Sequence, residues 1–274
     1  ADFGEVRELD GIPGVLVESA YFDGVKAASG HPFPDNRSLH DPRFRYLLAR
    51  AMVRATIETL APGAPLLAEP PTNLVVRNAG GILRASWAAA AGASGYRVYV
   101  AVNRRTFDAG KVVSGTSYDL PGIASGDAAY VRVSTLNGAG ESAASEAIGA
   151  RLRTDGGVPE CLIVSGYDRK DAYVREKDNA FDYVFEHGSA IRNAAGGAYY
   201  FDGASNEALE EADVLLADYR FAAWILGRES TEHETFSAFE QVEVEPFLAG
   251  GGCLIASGAE IGRASCRERV CSTV

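Results

Sequence analysis

The sequence contains no long apolar run and no low-complexity tract. No stretch of the 274 residues approaches the roughly 20 apolar residues that a membrane-spanning helix needs. The first residues carry neither the basic nor the apolar region of a signal peptide. Hydrophobic residues make up 47% and charged residues 23%, as in ordinary globular domains. We therefore expect folded domains without a membrane span.

Cysteine and basic residues are both scarce. The four cysteines have no metal-ligand spacing and are too few for a disulfide framework in a chain this long. Lys and Arg number 26 against 37 Asp and Glu, which gives a net charge of -11. A negative net charge argues against nucleic-acid binding as the main function. We expect no nucleic-acid partner.

The last residues depart from the pattern before them. Ile261-Gly-Arg-Ala-Ser-Cys-Arg-Glu-Arg-Val270 resembles the translation of a common sequencing adapter. The residues before it read as a strand that runs into a turn. We expect 263–274 to be an artefactual tail, and a genuine basic tail is the alternative.

An apolar run ending in a carboxylate lies near the start of the chain. Gly14-Val-Leu-Val-Glu18 indicates a buried strand that presents an acid at its C-terminal edge, where α/β enzymes build their sites. After an irregular loop, Asp41 as N-cap and Pro42 begin an amphipathic helix that ends near Leu60. A buried strand needs neighbours on both sides, and only thirteen residues precede it. We expect 1–61 to be the C-terminal remnant of an α/β domain and the natural protein to continue beyond both ends.

The middle of the chain alternates apolar and polar residues with a period of two. After a Pro- and Gly-containing linker at 62–71, short strands separated by Gly and Asn turns predict an antiparallel β-sandwich at 72–153. Trp87, Tyr96 and Tyr130 are expected core residues. The predicted strands are 73–77, 82–87, 95–102, 117–120, 128–135 and 147–152.

Strands alternate with helices from Glu160 onward, which predicts an incomplete parallel α/β sheet at 158–262. The predicted strands are 161–165, 198–201, 221–226 and 253–256. Helices are predicted at 173–192 and 235–248, and a short helix or turn at 207–216. Polar loops are expected at the carboxyl ends of strands, where open α/β sheets bind ligands. Simple solvated loops are the alternative. The candidate ligand-loop residues are Asp202, Ser205, Asn206, Glu207 and Glu229.

Two further side chains of this part are expected to be structural. Cys253 begins a strand and is expected to be a small core residue. His187, in a predicted helix, is expected at the surface or as a satisfied core histidine.

Three parts of the chain resemble known families. Pro13-Gly-Val-Leu-Val-Glu18, with the helix that starts Asp41-Pro-Arg-Phe-Arg45, resembles the C-terminal end of the zinc-dependent N-acetylmuramoyl-L-alanine amidases of the amidase_3 class. Residues 66–153 resemble a fibronectin type III domain, with Tyr130 as its tyrosine-corner residue. Residues 158–262 resemble a flavodoxin-like or class I glutamine-amidotransferase-like sheet. The cysteine that the second of these classes places after a strand is absent from Ala256-Ser-Gly-Ala-Glu260.

The first resemblance implies a role for Glu18 as the catalytic glutamate. Such a carboxylate takes a proton from zinc-bound water and passes it to the leaving amine. The zinc ligands of the family lie upstream of this strand, so zinc is expected in the intact parent and not in this fragment. Asp23-Gly24 departs from the Ser/Thr-Asn common in the family's loop. A strand-capping or Arg-pairing glutamate is the structural alternative.

Taken together, the sequence predicts a multidomain protein: an α/β fragment, an antiparallel β-sandwich and an incomplete parallel α/β sheet. The resemblances imply part of a secreted or cell-envelope peptidoglycan hydrolase, which cleaves the N-acetylmuramoyl-L-alanine amide with zinc-activated water, the fragment itself being inactive. Peptidoglycan or wall glycan is the expected partner. One alternative is a non-catalytic envelope protein that binds glycan or protein. Another places enzymatic activity in the parallel α/β part.

Overall fold

A computed structural model of the chain describes residues 42–166, 183–227 and 236–258. The chain divides into two compact units, Ala1–Pro62 and Gly63–Val274. Several predicted features lie outside the described residues: the strand at 13–18 with Glu18, the cap Asp41, Glu229 and the tail at 263–274.

The first unit contributes one described helix, α1 (Pro42–Leu60), over the predicted range. Proline at its first position sacrifices no helical hydrogen bond. Two exposed threonines donate to carbonyls of the preceding helical turn: Thr56 to the Met52 carbonyl at 2.8 Å and Thr59 to the Ala55 carbonyl at 2.7 Å. These bonds satisfy polar side chains within the helix itself.

The second unit begins with short antiparallel strands that form two layers. Their bounds are β1 (Val75–Ala79), β2 (Ile82–Ser86), β3 (Gly95–Val102), β4 (Lys111–Val113), β5 (Ser117–Leu120), β6 (Ala128–Asn137), β7 (Gly140–Ala144) and β8 (Ile148–Arg151). One layer pairs β1, β2 and β5, and the other pairs β4, β3, β6 and β7, with β8 also on β6. Trp87 and Tyr96, both buried, meet edge to face with their ring centroids 5.4 Å apart. The alternation in the sequence therefore marks the sandwich core correctly.

Two strands of the sandwich were not predicted. Both β4 and β7 are short, and no residue in either is fully buried. Because neither presents a buried face, the apolar alternation that signals the other strands is missing.

Parallel strands alternate with helices in the rest of the second unit. In chain order these are β9 (Cys161–Ser165), α2 (Tyr183–Asn193), β10 (Phe201–Ser205), α3 (Asn206–Glu210), β11 (Phe221–Gly227), α4 (Ala238–Ala249) and β12 (Cys253–Gly258). The strand order is β12-β11-β9-β10, and each neighbouring pair is parallel. Helix α2 covers one face through Val184, beside Ile163 and Ile225. The opposite face buries Trp224 with Val244 and Phe247 of α4.

Strand β10 lies later in the chain than the sequence indicates. The apolar run at 198–201 predicts a strand, but the strand begins at Phe201 and continues to Ser205. Asp202 and Ser205 are consequently strand residues rather than loop residues, and both are buried. The prediction that these two residues lie in a loop is therefore wrong. Inside the sheet, the distant residues Asn78 and Tyr219 donate hydrogen bonds to the Asp202 side chain.

A single sheet runs through both the sandwich and the parallel strands. Strand β1 pairs antiparallel with β10, with Val75 opposite Ala204 and Val76 opposite Gly203. The result is a seven-stranded sheet in the order β12-β11-β9-β10-β1-β2-β5. It crosses the boundary that the sequence suggests between 72–153 and 158–262. That division into separate domains stays a prediction, and the hydrogen bonding is continuous across it.

Helix α2 fills the angle between the sandwich and the parallel strands. Tyr130 of β6 faces away from the sandwich core, and its ring lies 5.0 Å from that of Phe185 on α2. Gly188 makes room for this ring, since a Cβ there would lie 2.5 Å from the Tyr130 hydroxyl. The prediction that Tyr130 is a tyrosine-corner residue is therefore wrong, because its ring packs against another part of the chain.

Candidate functional site

A cavity of about 800 Å³ opens at the amino ends of three parallel strands. The first residues of β9, β11 and β12, which are Cys161, Phe221 and Cys253, form part of its wall. Backbone from Gly250–Gly252 and apolar side chains of α2 complete much of the remainder. We call this cavity the aromatic pocket. Its aromatic and charged lining residues are Glu160, Tyr199, Tyr219, Arg220 and Phe221.

The pocket presents both flat rings and charges. Tyr199 is 44% exposed, Phe221 is half-buried and Arg220 is exposed. The carboxylate of Glu160 accepts from Arg153 Nη1 at 2.7 Å and from the backbone N–H of Tyr200 at 3.2 Å. Burial acts to raise the pKa of Glu160, but these hydrogen bonds outweigh it and the pKa is lowered. A fixed, ionised carboxylate therefore lies beside exposed aromatic surface.

The two cysteines of the pocket differ in exposure. Cys161 is buried, and burial raises the pKa of its thiol to about 11. Cys253 is exposed, so the prediction of a core role for it is wrong. Strand β12 lies at the end of the sheet in the part of the chain that is described, and its first residue forms the pocket wall instead of packing in the core.

Asp202 serves the junction between the two parts of the second unit. One carboxylate oxygen accepts from the Asn78 side chain at 2.7 Å and from the Asn78 backbone at 2.9 Å. The other accepts from the Tyr219 hydroxyl at 3.1 Å. Burial raises the pKa of Asp202, although these hydrogen bonds act to lower it. Its donors come from the protein, which indicates a structural role.

The remaining predicted ligand residues are only partly brought together. Ser205 is fully buried, and its backbone N–H donates to the Leu74 carbonyl at 2.9 Å. Asn206 donates to the buried carboxylate of Glu240 at 3.1 Å, and Glu240 caps α4 through Ser237. Glu207 is half-buried in α3. The structure thus joins Asn206 to α4, whereas Asp202 belongs to a different hydrogen-bond network.

A serine–histidine pair lies at the carboxyl ends of the parallel strands, whereas the aromatic pocket lies at their amino ends. Ser257 Oγ near the end of β12 lies 3.0 Å from Nε2 of His187 on α2. From the sequence, His187 is expected at the surface or in the core, and no motif connects it to Ser257. The available signal was the position of Ser257, at the carboxyl end of a strand and just before Gly258.

No group of three or more metal-binding side chains occurs within 42–166, 183–227 and 236–258. In the same residues no helix is long and apolar enough to cross a membrane. Neither finding concerns the segment that carries Glu18.

Comparisons with known proteins bear on the fold alone. No protein-family model matches the chain, and no curated protein matches it. A solved Fn3-like protein from Clostridium thermocellum is 25% identical and covers 31% of this chain and 90% of its own, with a TM-score of 0.25. The solved FN3tt is 16% identical, and the alignment covers 33% of this chain and 99% of FN3tt, with a TM-score of 0.30. The third fibronectin III domain of human KIAA0343 protein is 24% identical, and the alignment covers 35% of this chain and 90% of that domain, with a TM-score of 0.28. Each of these three alignments covers about a third of this chain.

Proposed function

We propose that the chain is part of a bacterial peptidoglycan hydrolase and that its second unit holds wall material in the aromatic pocket. The observation that carries this proposal is the cavity of about 800 Å³ with exposed rings and charges at its wall. Cavities of roughly 300–1,000 Å³ lined by aromatic and apolar side chains with a few polar groups are typical of small-molecule sites.

The pocket chemistry suits a fragment of wall glycan with its peptide stem. Sugar rings have apolar C–H faces, and the flat aromatic rings of Tyr199 and Phe221 can pack against them. Peptide stems end in carboxylates, and the exposed guanidinium of Arg220 is a suitable partner for one. The ionised carboxylate of Glu160 can accept from a sugar hydroxyl or an amide N–H.

The finer fold assignments belong to the same proposal. Numbered from β9, the strands follow the order 2-1-3-4, which is the order of flavodoxin-like sheets. This order supports a flavodoxin-like or glutamine-amidotransferase-like domain over 158–262. The two-layer sandwich supports a fibronectin type III module that positions it.

Catalysis is assigned in this proposal to Glu18, on the strength of the sequence resemblance alone. In the intact parent, zinc held upstream would activate the water that attacks the amide, and Glu18 would carry the proton to the leaving amine. The same resemblance places the protein in the cell envelope or outside the cell. Without the upstream ligands, the 274-residue chain should bind wall material and not cleave it.

The direct test is co-sedimentation of the full 274-residue chain with insoluble peptidoglycan. We expect Tyr199→Ala to weaken binding at least several-fold. The matched control is Phe239→Ala, which removes an aromatic side chain that is 71% exposed on α4, away from the pocket lining. Equal binding by wild type and Tyr199→Ala would overturn the assignment of the pocket.

A non-catalytic envelope protein is the rival to this proposal, since the same pocket would serve it. The two proposals can be distinguished in a longer natural protein that carries a His, Glu and His set upstream of Glu18. There, Glu18→Ala should abolish the release of peptides that begin with L-alanine and leave sedimentation intact. Unchanged release would remove Glu18 from the mechanism.

A further inference from the structure

Ser257 and His187 are 70 residues apart in sequence and meet across two packed elements. The Ser257 hydroxyl lies 3.0 Å from Nε2 of His187, and both side chains are half-buried. In the register of the sheet, Ser257 stands opposite Ile225, which in turn stands opposite Ser165. Because Ile225 packs in the cluster that contains Val184 of α2, this row lies on the face that α2 covers.

The pair lies at the carboxyl ends of the parallel strands, one strand away from the point where open α/β sheets bind ligands. The strand order changes direction between β9 and β11, and ligands bind such sheets at the carboxyl ends beside this switch point. Ser257 is the second-last residue of β12, the strand next to β11. The aromatic pocket lies at the amino ends, so the two places are distinct.

The contact has the elements of an activated nucleophile. A serine hydroxyl is a weak nucleophile until an adjacent base takes its proton. Burial lowers the pKa of His187, which keeps its imidazole neutral at neutral pH and able to accept that proton. Among the described residues, the Ser257 hydroxyl is the hydrogen-bond partner that the structure shows for this ring.

We propose that Ser257 and His187 form a nucleophile–base pair that hydrolyses small acyl esters. The Ser257 oxygen attacks the ester carbonyl carbon while its proton moves to His187 Nε2. The bond to the alcohol oxygen then breaks, His187 returns the proton to the departing oxygen, and an acyl-serine remains. Water attacks this acyl-serine with His187 again taking the proton, which releases the acid and restores the serine hydroxyl.

Esters are better suited than amides to a serine–histidine pair. An ester with a good leaving group departs with little help from a general acid, whereas an amine must be protonated as it leaves. Because Ser257 and His187 are both half-buried, the expected substrates are esters of short acids with little bulk around the carbonyl. The serine–histidine pair lies at the carboxyl ends of the strands and the aromatic pocket at their amino ends, so this inference does not depend on the pocket.

The test uses the full chain with p-nitrophenyl acetate and a fluorophosphonate reagent. We expect the reagent to modify Ser257 in the wild type, as located by peptide mass spectrometry. Ser257→Ala should lose the modification and about 100-fold or more of the hydrolysis rate, and His187→Gln should lose a similar factor. The control Ser117→Ala, an exposed serine on β5, should keep both.

Two outcomes overturn the proposal: a wild-type chain that is not modified at Ser257, or a Ser257→Ala variant that hydrolyses the ester at the wild-type rate. Labelling of the wild type needs no variant, so it decides the matter even if a substitution disturbs folding. Co-sedimentation with peptidoglycan is measured on the same samples. Ser257→Ala should still sediment, so failure here and failure of the aromatic pocket give different results.

Discussion

Asn78 of the sandwich donates its side-chain amide to the buried carboxylate of Asp202, across the junction with the parallel strands, at 2.7 Å. The same amide also donates to the Arg151 carbonyl at 3.0 Å, and its oxygen accepts from the Arg153 backbone at 2.7 Å. One side chain thus ties β1 to β10 and to the end of β8. The junction depends on specific polar contacts as well as on the shared sheet.

Removing this side chain should be costly. Asn78→Ala removes one of the two side-chain donors of the Asp202 carboxylate and leaves the Tyr219 hydroxyl as the other, and we expect the free energy of unfolding to fall by about 1–3 kcal/mol. Urea denaturation followed by circular dichroism measures the change. Asn193→Ala is the control, since Asn193 is exposed and its side chain makes no capping hydrogen bond. A loss no larger than that of the control would mean that the network contributes little.

The buried carboxylate predicts a pH dependence of stability. Burial raises the pKa of Asp202 above its unfolded value, so the folded state keeps this proton to higher pH. The Asp202 contribution to the free energy of unfolding therefore falls as the pH rises from about 4 through the raised pKa. Asp202→Asn does not titrate, and its stability relative to wild type should increase across that interval. A difference that does not change with pH between 3.5 and 7 would contradict the buried, protonatable site.

Two glycines allow the backbones of β10 and β8 to approach each other. A Cβ on Gly203 would collide with the backbone carbonyl oxygen of Gly149, which cannot move aside as a flexible side chain could. Gly203→Ala should destabilise the chain by about 1–3 kcal/mol or more through overpacking. Gly115→Ala is the matched control, because its Cβ would meet open space. Equal melting temperatures for the two variants would exclude this close approach.

The rate at which a reagent modifies the thiols of the aromatic pocket should show whether the pocket is occupied. In a background with serine at 266 and 271, a thiol reagent at pH 8 should modify exposed Cys253 well before buried Cys161, whose pKa is raised to about 11. A soluble muropeptide should slow the modification of Cys253 because both occupy the same cavity. A rate for Cys253 that is unaffected by saturating muropeptide would argue against binding there.

The local pattern of the sequence is enough to predict most strands, and the reason is physical. In β3 (Gly95–Val102) and β9 (Cys161–Ser165), burial follows from the chain's own apolar residues, and both bounds were predicted. The local pattern does not predict the bounds of β10, because Asp202 and Gly203 are residue types that favour turns. They become strand residues because β10 pairs with β9 and with the distant β1, and Asn78 and Gly149 accommodate them there.

The candidate sites were less accessible from sequence. The pairing of β1 with β10 joins segments more than 120 residues apart, and no turn signals it. Nor does any local motif connect His187 with Ser257, because their contact depends on how α2 packs against the sheet. The aromatic pocket likewise draws on strand beginnings that only the parallel order brings together. By contrast, the role of Glu18 rests wholly on the sequence and stays a prediction.

The most direct test of the account is a crystal structure of the full chain with a muropeptide of one disaccharide and its peptide stem. The account predicts the ligand in the aromatic pocket, with a sugar face against Tyr199 or Phe221 and a stem carboxylate near Arg220. A ligand bound elsewhere on the chain, or an empty pocket at concentrations that saturate binding in solution, would contradict it.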